Sequence, residues 1–325
     1  MGTVDISIVI VSYNTKDDLR NCLKALLVEQ LSMQIFVVDN ASSDGTQHML
    51  KKEFHNIPAL NVIYNQKNIG FAPACNQPIP LCIGRYVLFL NPDTVVKPCS
   101  MKAMINCLDS EHHAGIIGPR LVYSDGNYQY SYGSDWTVFR TIVWHIIPLG
   151  LRERLQSKWL NILGKGDRPL EVGWVSGACL MIRRKLVVEL GGFDDQIFLS
   201  LTDCGDLCVR ARKKGYHTIF FPKAEVIHLS GQSYRDTRVK PIALIRAYQG
   251  HLYYHMKHHG QVSVLLLRLM FSLISLDKAI LAGLLGLFRP MMYLGKAQAH
   301  FIAALKILFT PISGKNQADS KISIG

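Results

Sequence analysis

The sequence predicts an α/β protein: a mostly parallel sheet flanked by helices, followed by a C-terminal helical extension. Three observations carry this expectation. In the first hundred residues, short continuous apolar runs alternate with stretches of helical periodicity, the pattern of βα units whose strands are covered on both faces. Each of those apolar runs ends in Asp, Asn or Ser. Beyond about residue 240, the chain turns helical and apolar and the strand-like runs stop.

Ile6-Ser-Ile-Val-Ile-Val11 reads as the first strand. Asn14 or Thr15 can cap the following helix, which carries Asp17 and Asp18 in its first turn and sets Leu19, Cys22, Leu23, Leu26 and Leu27 on one face. Ile35 to Asp39 forms a second strand, closed by the polar turn Asn40 to Gly45. Leu60 to Tyr64 is a third strand, and Tyr86 to Leu90 is a fourth that runs into Asn91-Pro92-Asp93. Residues 115–125 read as another strand and turn, 126–170 as an irregular stretch, and 172–183 as a return to regular structure. In parallel sheets, ligands gather at the carboxyl ends of the strands. Ser12, Asn14, Asp39 and Asp93 therefore become candidates together, although Asp and Asn are also ordinary turn residues.

The chain has 325 residues, enough for about two domains. We place the division at 1–240 and 241–325. A 49% apolar content excludes disorder, and a net charge of +12 favours an anionic partner. Eight cysteines without a CxxC pair read as reduced, mostly buried thiols, and the immediate start of a strand leaves no room for a secretory signal. A cytoplasmic protein is expected. Nucleic-acid binding is not, because neither an aromatic RNA-binding strand nor a lysine-rich tail is present.

Six pieces follow in order: Val37-Val-Asp-Asn-Ala-Ser-Ser-Asp-Gly-Thr46; Asn68-Ile-Gly-Phe-Ala72 with Asn76; Leu88-Phe-Leu-Asn-Pro-Asp93; Trp174-Val-Ser-Gly-Ala178; Gly192-Phe-Asp194; and Val226-Ile-His-Leu-Ser-Gly231 with Ser233. Together they resemble family 2 inverting glycosyltransferases of the GT-A fold over residues 5 to about 235. The nearest branch looks like the bacterial rhamnosyltransferase-type enzymes of surface polysaccharide synthesis, such as O-antigen. The resemblance implies a nucleotide-sugar donor, dTDP- or UDP-linked, with rhamnose the sugar that the branch suggests. It implies that Asp39 accepts the imide N–H of the base, that Ser12, Asn14, Asn68 and Gly70 line the nucleotide pocket, and that Asn76, Trp174, Gly177 and Asp206 lie on the substrate side. It also implies that Asp93 and His228 hold Mg2+ or Mn2+, since a cation bridging phosphate oxygens needs oxygen-rich ligands. Taken alone, Asp39 could be a turn carboxylate and His228 a core histidine.

An inverting transfer needs a general base for the acceptor hydroxyl. The family's Glu-Asp pair falls at Thr202-Asp203 aligned from upstream and at Asp203-Cys204 aligned from Asp206. Asp203 is a carboxylate in both alignments and is the expected base, with Asp206 the alternative and more suited to a structural role. The altered pair also motivates a rival reading, a catalytically degenerate nucleotide-sugar-binding relative that partners another transferase. Pro78 and Pro80 break the helix that the family carries after Ala72. Gln232-Ser-Tyr-Arg-Asp236 lacks the Trp of processive synthases, which favours single addition.

His251, His255, His258 and His259 recur at helical spacing without an acidic partner, so a polar helix face near phosphate or headgroups is expected rather than zinc. Residues 241–315 hold eight Lys or Arg against one acid, Asp277, with apolar runs too short to span a bilayer. Gln261, Arg268, Ser272 and Ser275 fall near one stripe among Leu, Val, Phe and Ile. Such a stripe suits a helix lying in the interface at the inner face of the cell membrane, near a lipid-linked or glycan acceptor. A helical cap on the first domain, or a dimer contact, is the alternative.

Overall fold

The computed structural model describes residues 4–147, 149–162, 168–196, 201–229, 241–309 and 312. Gly231, Ser233 and the 232–236 segment lie outside the described residues, as do 197–200 just before Asp203. The chain divides into two compact units: Met1–Asp135, Leu149–Asp194 and Cys204–Ser233 in one; Trp136–Pro148, Asp195–Asp203 and Tyr234–Gly325 in the other.

The first unit opens with β1 (Ile6–Ser12), α1 (Lys16–Leu27), β2 (Met33–Asp39), α2 (Thr46–Glu53), β3 (Leu60–Tyr64), α3 (Phe71–Asn76) and β4 (Tyr86–Leu90). These strands pair in parallel in the order β3-β2-β1-β4, with Ser12 opposite Asp39 and Ile10 opposite Leu90. Ile6, Ile8, Ile10, Leu19, Leu23 and Leu26 are fully buried between sheet and helix. Burial of such side chains contributes roughly 1.5–3 kcal/mol each. Pro73 sits in the first turn of α3, where its missing N–H costs nothing. The helix stops before Pro78, and the chain continues as a single 3₁₀ turn, Ile79–Leu81.

After β5 (Thr94–Val96), α4 (Ser100–Ser110) and β6 (Ala114–Val122), the stretch read as irregular proves structured. It contains β7 (Tyr128–Gln129), β8 (Tyr132–Gly133), α5 (Val138–Ile146) and α6 (Leu149–Ile162). Two-residue strands carry no periodicity, and the Thr137 N-cap of α5 was the available signal: its hydroxyl accepts from the Arg140 N–H at 3.3 Å. Next come β9 (Leu170–Glu171), β10 (Trp174–Val175), β11 (Cys179–Arg183), α7 (Arg184–Leu190), α8 (Leu201–Lys213) and β12 (His217–His228). β11 joins β4 and β6 antiparallel, and β12 closes the path between β6 and β5. The register shift between Phe221 and Glu225 lets β12 bring His228 opposite Thr94.

In the second unit, α9 (Pro241–His259), α10 (Gln261–Gly286) and α11 (Pro290–Phe309) pack with α5 around Tyr248, Leu252, Leu267, Phe271 and Ala303. Two expectations are corrected here. His251 and His255 do not form an outward polar face: both are buried, His251 against Trp136, His145 and Phe271, and His255 bonded to Thr141 Oγ1 at 2.9 Å. Arg268, Ser272 and Ser275 of the polar stripe of α10 also point inward, while Gln261 is exposed. Arg268 donates to the Ile307 and Leu308 carbonyls at 2.6 and 2.8 Å, Ser272 donates to the Ala304 carbonyl, and Ser275 bonds the Tyr248 hydroxyl. The carbonyls ending α11 need donors, and the stripe supplies them. Among the described residues, no helix is long and apolar enough to cross a membrane.

Candidate active site

The carboxyl ends of β1 and β2 are knitted together by short polar side chains. Asn14 adopts φ +54°, a left-handed conformation that Asn tolerates. Its Oδ1 accepts from the Ser43 N–H at 2.8 Å, while its own N–H donates to Ser42 Oγ. Ser12 is buried, its hydroxyl 2.9 Å from that of Thr15. Asp39 is fully buried. Its Oδ2 accepts from Gln47 Nε2 at 2.7 Å and from the Ser42 N–H at 3.3 Å, but its Oδ1 has no partner. A buried carboxylate oxygen without a donor is costly, and a ligand N–H would satisfy it.

Beside Asp39, Asn40 shapes the loop that carries Asn68 and Gly70. Its Nδ2 donates to Asn68 Oδ1 at 2.8 Å and to the Gly70 carbonyl, and its Oδ1 accepts from the Ile69 N–H at 3.0 Å. Asn68 Oδ1 also accepts from the Gly70 N–H at 3.0 Å. Sequence reasoning passed over Asn40 as a turn residue, although its place directly after Asp39 at a strand end was the signal.

Past the end of β4, Asp93 Oδ1 lies 3.3 Å from His228 Nε2, and the Leu229 N–H donates to the Asp93 carbonyl. The sequence-predicted pair, 135 positions apart, is thus brought together by the β12–β5 pairing. An oxygen and an imidazole nitrogen side by side suit a divalent cation that takes its remaining ligands from phosphate oxygens. Among the described residues, no group of three His, Cys, Asp or Glu is placed to hold a metal by itself. Nearby Cys22 is fully buried, and burial, reinforced by Asp93, pushes its thiol up to about 12.

Four residues expected on the substrate side occupy scaffolding positions. Both ends of the Asn76 amide engage the Phe193 backbone, Nδ2 donating to its carbonyl and Oδ1 accepting its N–H, each at 2.8 Å. Gly192, at φ +78°, has no room for a side chain: a Cβ would lie 2.2 Å from Asn76 Oδ1. Trp174 is buried against Tyr130, and a Cβ on Gly177 would meet Cys204 Sγ at 2.5 Å. Asp206 is fully buried and accepts from Arg210 Nε at 2.7 Å; the same guanidinium donates to the Leu190 and Gly192 carbonyls. Asp206 thereby fixes the Gly-Phe-Asp turn through Arg210. Asp203, three residues earlier, lies in the first turn of α8 and is 3% exposed.

The sequence profile described as glycosyl transferase family 2 matches residues 7–191, more than half of the chain. The chain belongs to that family. Over 242 residues it is 27% identical to the N-acetylglucosaminyl-diphospho-decaprenol L-rhamnosyltransferase of Mycobacterium tuberculosis, covering 70% of this chain and 77% of the relative. It is 25% identical to the rhamnosyltransferase WbbL of Escherichia coli over 245 residues, 71% of this chain and 86% of the relative. Among solved structures, the fold is similar to a mannosyltransferase of Pyrobaculum calidifontis in complex with GDP-Man and Mn2+, at TM-score 0.54 and 14% identity over 94% of this chain and 87% of that one. It is also similar to GalNAc-T7 with UDP, GalNAc and Mn2+, at TM-score 0.57 and 14% identity over 78% of this chain and 48% of that one. This family 2 glycosyltransferase has the GT-A fold, and the α/β expectation and its C-terminal helices hold.

Proposed function

We propose that this glycosyltransferase moves a single sugar, rhamnose by preference, from a dTDP- or UDP-sugar to a lipid-linked or glycan acceptor with inversion, using Mg2+ or Mn2+. One observation carries the reading: a single sheet edge presents the partnerless Asp39 oxygen and the Asp93–His228 pair. In this reading the first receives the imide N–H of a pyrimidine base, and the second holds the cation beside the diphosphate. Asp203 takes the acceptor hydroxyl proton as that oxygen bonds the anomeric carbon from the face opposite the leaving phosphate. The carbon–phosphate-oxygen bond breaks, and the nucleoside diphosphate departs with its electron pair. The two rhamnosyltransferase relatives support the choice of sugar, and the lipid diphosphate in one relative's name supports the acceptor class.

The test is a product assay pairing dTDP-rhamnose and UDP-sugars with a polyprenyl-diphosphate-linked amino sugar. Turnover is expected with Mn2+ or Mg2+ and should vanish in EDTA and in Asp93→Ala. Full activity of that variant in EDTA would overturn the metal assignment.

We place the enzyme at the inner membrane surface through the outward face of α10. Leu265, Leu269, Leu273, Leu276, Ile280 and Leu284 are all exposed along one stripe. With Arg268 turned inward, attraction to anionic headgroups falls to other basic side chains such as the exposed Arg289. Wild-type protein should sediment with phosphatidylglycerol vesicles, and Leu269→Asp with Leu273→Asp should not. Equal sedimentation, or a dimer in light scattering that the double substitution dissolves, would move this face from lipid to a second copy.

A further inference from the structure

His228 is held from behind by a chain of hydrogen bonds that the sequence motifs do not contain. Its Nδ1 lies 2.8 Å from Gln129 Oε1, on the two-residue strand β7. Gln129 is 7% exposed, and its backbone is fixed opposite Leu121 on β6. The Gln129 amide also reaches the Tyr123 phenol, whose pKa it draws down against the larger rise from burial and from Glu153. Tyr123 in turn donates its O–H to Glu153 Oε1 on α6 at 2.7 Å, the same oxygen that accepts the Tyr130 N–H.

The chemistry of the partners sets the sense of these contacts. An ionised carboxylate only accepts, so the single phenolic proton goes to Glu153 and the phenol oxygen accepts from the Gln129 NH2. The Gln129 carbonyl oxygen then faces His228, and a carbonyl also only accepts, so Nδ1 carries a proton. The remaining nitrogen, Nε2, faces Asp93 Oδ1 at 3.3 Å, with the donor Asn91 Nδ2 at 3.4 Å.

We propose that Gln129, oriented by Tyr123 and Glu153, is a positioning residue that keeps the proton on His228 Nδ1 and presents Nε2 to the Asp93 site as a ligand. Histidines that bind metals depend on such a partner for ring orientation and tautomer, and losing it costs about 10- to 100-fold in metal affinity. This deepens the divalent-cation reading above and rests on it for its consequence.

Two measurements test it. In protein labelled with 15N-histidine, His228 should give an Nδ1–H resonance without any metal, and Gln129→Leu should abolish it. Titration with Mn2+ alone, followed by electron paramagnetic resonance, should show binding weakened about 10- to 100-fold in Gln129→Leu. Most of that affinity should return in Gln129→Glu, which keeps an acceptor at the same place, and Tyr123→Phe should give a smaller loss in the same direction. Circular dichroism confirms that each variant is folded. An Nε2–H tautomer in wild-type protein, or Mn2+ binding unchanged in folded Gln129→Leu, overturns the proposal. If wild type binds Mn2+ no better than Asp93→Ala, the cation reading fails by itself, and the Nδ1–H resonance still decides the role of Gln129.

Discussion

Acid should weaken the helical unit through its buried histidines. His255 is fully buried, and burial first, then His259, His251 and His258, lowers its pKa to about 3. His251 is lowered in the same direction by burial and by His145. What faces them is aromatic, hydroxyl or imidazole: Trp136 and His145 toward His251, and Thr141, Tyr254 and His259 toward His255. An unfolded histidine titrates near 6.5, so below that pH the unfolded chain binds protons that the folded one refuses. Stability is therefore fully present above about pH 6.5 and is lost as pH falls toward 3.

Between pH 7 and pH 5, linkage gives a loss of about 2 kcal/mol for His255 alone, with His251 adding to it. Against a typical total of about 5–15 kcal/mol, that is a readable fraction. The assay is urea unfolding at both pH values, followed by tryptophan fluorescence, since Trp136 lies 5.1 Å from the His251 ring. His255→Gln removes the titrating group and keeps an amide within reach of Thr141. The pH 7-to-5 difference should shrink by about 2 kcal/mol in this variant. An undiminished difference in folded His255→Gln would refute the reasoning.

Four further outcomes are expected. Asp39→Asn should weaken UDP or dTDP binding in calorimetry by about 10- to 100-fold, the worth of a hydrogen bond to a charged group, with the thermal midpoint little changed. Asp203→Asn should leave donor affinity near normal and lower kcat by about 10²- to 10⁴-fold. Asp206→Asn should instead cost about 3 kcal/mol of stability, because it leaves the Arg210 guanidinium uncompensated; the reverse pattern would exchange their roles. Gly192→Ala should destabilise by about 2–4 kcal/mol, from left-handed strain and the displaced Asn76 pair, measured as a drop in urea midpoint.

What was legible in the sequence followed from local pattern. Continuous apolar runs located β1, β2, β3 and β4, and their polar ends located Asp39 and Asp93, because burial on both faces and ligand-facing strand ends leave marks within a few residues. Gln129 left none. It lies in a two-residue strand within a stretch lacking periodicity, and its partner His228 is 99 positions away. Helix α10 shows a different limit. Periodicity separated Arg268, Ser272 and Ser275 from the leucines, but a helical wheel does not say which face meets protein. The free carbonyls at the end of α11 decided that, and they are invisible until α11 is folded beside α10.

The same distinction divides the motifs themselves. Asn76 and Gly192 belong to separate motif pieces and Asp206 and Arg210 to α8, yet one set of hydrogen bonds joins them around the backbone of residues 190–193. Gly192 leaves room for the Asn76 amide, the amide holds the Phe193 peptide, and Arg210, charge-balanced by Asp206, holds the carbonyls on either side of Gly191. None of these four has a polar group left that only a substrate would satisfy, whereas the Asp39 oxygen has no partner and Asp93 faces His228 across 3.3 Å. A motif in this chain therefore specifies two kinds of residue: those whose hydrogen bonds close within the fold, and those whose bonding stays open toward a ligand. The reading of function rests on the second kind, and the first kind explains why the Gly192-Phe-Asp194 turn is held in place.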